Sequence, residues 1–353
     1  MKKERTFRAK SNFATIYWAF SILFVFSFQT AALAQSPIAT YKLRMPINAA
    51  ATENYYRIAV QCAKDAKDMS NGKLEIEILP MGLLVPITEA WEAVGKGAVD
   101  MAHVFAGYHA GKFAVADIES GSPFAFRNEQ DMRVFWHDYG FLDFLNEEVY
   151  ANTNTYVLGQ VYFSGYQLWL KRPAKSIDDL RRMKLRIAGP ISKIMGKLNI
   201  SPTFVPGAEV YTALATGVLD GAAYGGIVQG YDLKFYEVAK YILSPQVQGV
   251  SACTIYINRK LYQSLPEDIK VILKYFALSF NDRTNRDFDV REVRLLSELK
   301  DKRGLQFSQL NDASLEALKK ASSDYLQELG NKDATTRKGV DLYNKFAQEY
   351  LSK

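Results

Sequence analysis

The chain has 353 residues, 48% of them hydrophobic and 23% charged, with 44 Lys and Arg against 38 Asp and Glu and a formal charge of +6. Lys2, Lys3, Arg5, Arg8 and Lys10 crowd the start, so the remainder is nearer neutral, and its bases are scattered among acids. That excludes a nucleic-acid footprint, which needs a basic stripe. The length allows about two domains, and an aromatic content of 13% allows a cleft with aromatic walls.

The basic start is followed by an apolar run, Ala14 to Phe28, shorter than a membrane span of ~20 residues. Ala32-Leu33-Ala34 then offers small residues for cleavage before Gln35. The segment reads as an export signal cleaved near Ala34, the alternative being an uncleaved anchor, and the mature chain reads as exported. Thr40–Met45 and Lys73–Leu79 alternate and predict strands. Glu53–Met69 predicts a helix stopped at Asn71-Gly72. A short helix over Ile87–Val94 and a strand over Ala98–Val104 complete a β-α-β-α-β run. A helix is expected over Asp131–Glu147 and a strand crossing between lobes over Tyr156–Phe163.

The organising stretch is Lys184 to Tyr224. It reads as a strand ending at Arg186 before Gly189-Pro190, a helix, a strand near Pro202–Val205, a helix over Glu209–Thr216 and a strand over Val218–Ala223. This alternation predicts a parallel sheet. Ala93–Asp100 and Ala213–Asp220 echo each other, as two similar lobes facing one cleft would. Ser251–Asn258 is expected to cross back, a long helix to run from Leu265 toward Leu299, a strand to follow at Gly304–Phe307, and a helix at Ala313–Leu329. Cys62 and Cys253 lie in apolar surroundings and read as buried free thiols, with a bridge as the alternative.

No catalytic constellation emerges. His103 and His109 flank a loop and do not share a helix face, so they do not read as a metal pair. Neither a nucleophile elbow nor a phosphate-cradling glycine loop is present. Arg186 is the strongest site residue, because ligands of open α/β sheets bind beyond the carboxyl ends of strands. Its guanidinium can grip a carboxylate with two parallel hydrogen bonds. A cleft position, as opposed to a core one, implies that Arg186→Ala folds normally. Lys184 reads as an exposed edge charge.

Lys184-x-Arg186, Glu209-Val210-Tyr211-Thr212-Ala213-Leu214, Gly217-Val218-Leu219-Asp220-Gly221 and the block Lys234–Tyr241 together resemble the solute-binding proteins of TRAP transporters, the DctP family, nearest to the 2-oxo-acid-binding type. The resemblance runs from about Lys42 to Tyr325. It implies an α/β bilobal periplasmic-binding-protein fold, with two Rossmann-like lobes joined by crossing strands and a long helix. The expected division is residues 1–34 as signal peptide, 35–162 with 252–290 as lobe I, 163–251 with 291–330 as lobe II, and 331–353 as a helical tail.

The resemblance also implies an extracytoplasmic receptor that captures a small organic anion by lobe closure and hands it to TRAP membrane permease subunits. It would act as a monomer, or as a dimer through the C-terminal helix. Arg186 falls on the arginine that pairs with the ligand carboxylate in relatives. Tyr224, Tyr108, Trp169, Gln160, Phe105 and Tyr162 are the further candidate binding residues. The 2-oxo-acid binders hold a cation through an acidic residue and a glutamine, which fall here on Ala223 and Gly165. Neither offers a side-chain oxygen, and a hard cation needs several, so no metal and no cofactor is expected. Gly165 also stands where sialic-acid binders place a second arginine. The alternatives are a carboxylate-binding protein serving another transporter or a sensor, or an exported enzyme.

Overall fold

The structure is a computed structural model that describes residues 40–352 apart from Val247. The expected leader lies outside the described residues. Among these, no helix is long and apolar enough to cross a membrane.

In chain order the main elements are β1 (Tyr41–Pro46), α1 (Asn54–Met69), β2 (Leu74–Leu79), α2 (Ala90–Lys96), β3 (Met101–Phe105), α3 (Ala116–Glu119), α4 (Glu129–His137), α5 (Phe141–Phe144), β4 (Thr155–Tyr166), β5 (Leu168–Leu170), α6 (Ile177–Arg181), β6 (Leu185–Arg186) and α7 (Pro190–Lys197). There follow α8 (Val210–Ala215), β7 (Gly221–Ala223), α9 (Ile227–Asp232), α10 (Phe235–Val238), β8 (Tyr241–Ser244), β9 (Gln248–Asn258), α11 (Arg259–Ser264), α12 (Glu267–Arg303), β10 (Gln306–Gln309), α13 (Asp312–Leu329) and α14 (Ala334–Phe346).

These strands build two lobes. In the first, β1 pairs with β2, and β3, β9 and β4 lie side by side; a bridge between Ile47 and His103 joins the two groups. In the second the order is β10-β8-β5-β7-β6. The chain crosses twice. β4 runs directly into β5 of the other sheet, and β8 leads back into β9. The crossing strands are longer than the sequence pattern implies, at Thr155–Tyr166 and Gln248–Asn258.

The second lobe is not the purely parallel sheet that the alternation of elements predicts. β6 and β7 are parallel, but β5 runs antiparallel to β7 and β8, since it enters from the other lobe. Residues near Pro202–Val205 form only a single bridge, Thr203 to Arg186. The expected helix over Asp131–Glu147 is broken at Gly140, whose φ of 75° is open to glycine and unfavourable for side chains.

The internal echo has a structural basis. Asp100, just before β3, accepts a hydrogen bond from the Arg44 N–H at 2.8 Å. Asp220, just before β7, accepts from the Lys184 N–H at 2.8 Å. Each carboxylate pins a parallel neighbouring strand, so the two lobes set their inner strands in the same way. Both sets of strands then point their carboxyl ends at one cleft.

Two helices, α12 and α13, tie the lobes together. α12 has 37 residues, about 55 Å at ~1.5 Å per residue. Its first half packs on α1 and β4, and further along Arg291 pairs with Asp232 of α9 at 2.5 Å. α13 reaches both sides: Ser314 accepts from the Ile177 N–H at 3.0 Å, and the Tyr325 hydroxyl donates to Asp117 of α3. α14 covers its own chain, with Tyr343 and Phe346 among Phe126 and Phe135 and the Tyr343 hydroxyl on the Ala125 carbonyl. Cys62 and Cys253 are free and buried.

Asp117 is fully buried and also accepts from Lys193 of α7, in the other lobe, at 2.5 Å. Hydrogen bonds to a charged group are worth about 1.5–3 kcal/mol. Asp117→Ala is therefore expected to lower stability by about 2–3 kcal/mol, read from the urea midpoint. An unchanged midpoint would show that this contact between α3, α7 and α13 holds nothing together.

Candidate functional site

β6 carries the chain to Arg186 and stops. Gly189 then adopts φ 70° and ψ −156°, and Pro190 opens α7, where its missing N–H costs nothing. This sharp turn lets Phe105, at the end of β3 in the other lobe, lie against Gly189. A β-carbon on Gly189 would sit 2.7 Å from the Phe105 ring. Gly107 makes the reciprocal approach, its own β-carbon position falling 3.0 Å from the Gly189 α-carbon. The lobes meet at these two glycines.

Arg186 is 0% exposed. Its Nε donates to the Val205 carbonyl at 2.9 Å and its Nη1 to the Ala223 carbonyl at 2.6 Å. Nη2 is buried with no hydrogen-bond partner among the described residues. Phe204 and Tyr224 place their rings 5.5 and 5.4 Å from the guanidinium carbon, within reach of a cation–π attraction. Two of the arginine's contacts are thus to neutral backbone, and these brace the segment before α8 against the end of β7. The expectation of a cleft position as opposed to a core one is corrected here: the side chain is fully buried and braces backbone, so its removal loses buried structure.

Around Arg186 stand Phe105, Tyr108 and Tyr166, joined by ring contacts of 5.4 and 5.9 Å. Tyr108 also meets Phe204 edge-on at 5.9 Å. Burial raises the Tyr108 phenol above its ordinary value, while the positive charge of Arg186 pulls it back. Burial holds the Tyr224 phenol well above the usual range. These groups stay protonated and can donate. The Asn48 amide contacts the Cys253 sulfur at 3.7 Å, and burial pushes that thiol up to about 12. It is no nucleophile at neutral pH.

Of the residues singled out from sequence, the structure brings Arg186, Tyr224, Tyr108 and Phe105 together. Trp169 is a packing residue: its ring lies on Gly230 of α9 and edge-on to Phe235. Gln160 and Tyr162 lie elsewhere. Alternation along β4 turns Val161 and Phe163 into the core and sends Gln160 and Tyr162 to the other side. There they line a cavity of about 580 Å³ with Arg133, His137 and Lys274. Tyr166, Phe204 and Asn48 join the Arg186 group without having been apparent in sequence. Lys184 is exposed, and so is Glu209. Glu209 borders a groove of about 340 Å³ between the segments 81–88 and 206–209 at the cleft rim.

The residues present do not fit the cation of the 2-oxo-acid binders. A side chain on Gly165 would meet the Gln246 side-chain oxygen at 2.3 Å and the Gln248 carbonyl at 2.4 Å. Ala223 offers only its carbonyl, which already accepts from Arg186. Among the described residues no cluster of three or more His, Cys, Asp or Glu is placed to hold a metal.

Residues 46–333 match the family of bacterial extracellular solute-binding proteins, family 7 (DctP). The chain belongs to this family. It is 25% identical over 293 residues to the monocarboxylate 2-oxoacid-binding periplasmic protein of a Nostoc species, covering 82% of this chain and 79% of that one. The TRAP transporter solute-binding protein of Bordetella bronchiseptica, crystallised with calcium and picolinate, superposes with a TM-score of 0.82 at 27% identity, over 89% of this chain and 94% of that one. A Pseudoalteromonas atlantica TRAP protein with sodium and pyruvate gives a TM-score of 0.80 at 21% identity, covering 89% and 95%. The bilobal fold and the TRAP solute-binding family are therefore established for this chain.

Gly189 occupies backbone that costs a side chain of order 1–3 kcal/mol, and the added methyl would strike Phe105. Gly189→Ala is expected to keep the fold of each lobe and to weaken ligand binding at least tenfold by holding the lobes apart, seen by calorimetry alongside small-angle scattering. Full affinity in that variant would show that the glycine contact plays no part in closure.

Proposed function

We propose that this chain is the extracytoplasmic receptor of a TRAP-type secondary transporter and captures a small organic acid by closing its lobes on the ligand carboxylate. Arg186 is the anchor. The observation that carries the reading is its buried guanidinium, satisfied on two nitrogens by uncharged carbonyls and with Nη2 unpartnered. A buried ion without an opposite charge costs several kcal/mol, and a bound carboxylate offsets that cost. Tyr108, Tyr166 and Tyr224 supply donors and ring walls, and Phe105 seals the lobe contact. The residues bind and exclude water; none forms a nucleophile–base pair, which supports a receptor over an enzyme. The permease subunits, not this chain, would use the ion gradient. The periplasmic relatives support an exported location.

The test is a thermal-shift screen of organic acids on the mature protein, followed by calorimetry. Truncating one partner of a buried charge pair costs roughly 2–5 kcal/mol, so Arg186→Ala should lose about 30-fold to several thousand-fold in affinity at ~1.4 kcal/mol per decade. Arg186→Lys keeps the charge but loses the planar fork, and should also bind poorly. Because Nε and Nη1 brace backbone, both variants should melt earlier than wild type, whereas Lys184→Ala should change neither property. Near-wild-type affinity in a folded Arg186→Ala would overturn the anchor.

A second measurement concerns the cation. With Gly165 and Ala223 unable to contribute side-chain oxygens, affinity should survive a chelator and sodium-free buffer. A large loss restored by Na⁺ or Ca²⁺ would overturn that reading.

A further inference from the structure

The spacing that relates Asp100 to Asp220 continues upstream. Val85-Pro86-Ile87-Thr88-Glu89 of the first lobe and Val205-Pro206-Gly207-Ala208-Glu209 of the second stand 120 residues apart, as the two aspartates do. Both segments fold alike. Pro86 and Pro206 have φ of −54° and −53°, in the range that the ring imposes. The Glu89 and Glu209 N–H groups each donate to the proline carbonyl three residues back, both at 2.9 Å, and α2 and α8 begin at the next residue. The two turns border one groove of about 340 Å³, with Leu84, Val85 and Pro86 from one lobe and Pro206, Gly207 and Ala208 from the other.

Direct contacts tie the groove to Arg186. The Val205 carbonyl accepts from the Arg186 Nε at 2.9 Å, so the guanidinium holds the second turn at its first residue. A β-carbon on Gly207 would fall 2.5 Å from the Tyr224 ring, and the same ring lies against Arg186. The Tyr224 hydroxyl reaches the sulfur of Met81, which lines the groove from the first lobe, at 3.8 Å. A movement that parts the lobes at Arg186 therefore parts the two turns.

The groove has apolar side chains facing solvent and an acid on each turn. Leu83, Leu84 and Phe204 are large apolar residues with 66%, 42% and 48% exposure, and apolar surface gathered in this way marks an interaction site. Glu89 and Glu209 are exposed, and neither carboxylate has an ion pair or a hydrogen bond among the described residues.

We propose that the paired turns are the docking surface for the membrane permease, and that they receive a permease segment in which an apolar side chain is flanked by lysine or arginine. This rests on the reading of the chain as a TRAP-type receptor. The groove takes the apolar side chain, and Glu89 and Glu209 take the cations, one from each lobe. Complementary charges of this kind steer a partner and fix its register. A surface divided between the lobes is complete only when they have closed, so it distinguishes a loaded receptor from an empty one. The two carboxylates also stand at the first turns of α2 and α8, where negative charge favours a helix. That role alone predicts a small loss of stability on their removal and no change in docking.

The experiment is biolayer interferometry between the mature protein and the purified membrane subunits of its transporter in nanodiscs, in buffer containing the acid with the largest thermal shift. The double variant Glu89→Lys with Glu209→Lys should bind the subunits about tenfold or more weakly, with a slower association that no longer falls with salt, because like charges now oppose each other. Leu84→Asp should lose a similar amount. The double variant should keep its response to the acid, since neither glutamate touches Arg186. Gly189→Ala, with its lobes shown apart by small-angle scattering, should also dock poorly. Wild-type docking in the double variant, or in a Gly189→Ala protein with parted lobes, would overturn the proposal and leave the receptor reading standing. A wild-type dimer in sedimentation that Leu84→Asp dissolves would assign the groove to a second copy of the chain and overturn it as well. Failure of the wild-type protein to bind the membrane subunits under any condition would overturn the TRAP reading and this proposal with it.

Discussion

The interaction on which the site depends is the half-satisfied guanidinium of Arg186. A surface arginine has water for its donors. This one sits under the rings of Phe204 and Tyr224 with two nitrogens tied to the carbonyls of Val205 and Ala223. Those bonds remove the freedom of a long side chain before any ligand arrives, so less entropy is lost when the remaining donor is used. Among the described residues no ion pair neutralises the charge they leave. In the function proposed above, the same contacts that make Arg186 a structural brace also preorganise it for an anion.

That charge is useful only if both lobes can reach it, and the fold provides for this by repetition. Asp100 and Asp220 fix the inner strands of their lobes through the same kind of backbone hydrogen bond, so β1 and β3 on one side and β6 and β7 on the other end at a common cleft. The contact across it is made by small and flat groups, Gly107 and Gly189 with the Phe105 ring. Charged contacts sit further out, at Lys193 with Asp117 and at the Asn54 N–H with Asp232. Apolar contact at the centre keeps water from the region around Arg186, where a low dielectric strengthens any charge pair. The peripheral charges are placed to hold the lobes in register.

Much of this was legible in the chain itself. The alternation in Lys73–Leu79, the stop of α1 before Asn71-Gly72 and the echo of the two aspartates follow from local rules, and Arg186 at a strand end follows from where open sheets bind ligands. The contributions of Tyr166, Phe204 and Asn48 did not follow, because each depends on a contact across the cleft or between distant strands. Tyr166 shows the difficulty. It closes a twelve-residue strand that passes from one lobe to the other and has the same parity as Gln160 and Tyr162, with regular pairing between them. Yet Tyr166 meets Phe105 while Gln160 and Tyr162 line the cavity with Arg133 and His137, because position along a crossing strand, which no local pattern records, decides the neighbours. The mixed sheet of the second lobe has the same origin: β5 runs antiparallel because it arrives from elsewhere, and no local pattern records its direction.

The two buried ionisable groups near the cleft, Arg186 and Glu53, respond to burial in opposite ways, and that difference organises the chemistry. A guanidinium cannot shed its proton in a protein, so burial leaves it charged and short of a partner. A carboxyl group escapes the same penalty by taking up a proton, as the upward displacement of Glu53 shows. Among the described residues, one response to burial leaves a guanidinium nitrogen without a partner at Arg186, and the other leaves a raised carboxyl at Glu53 with one oxygen on the Ala50 N–H and the other unpartnered.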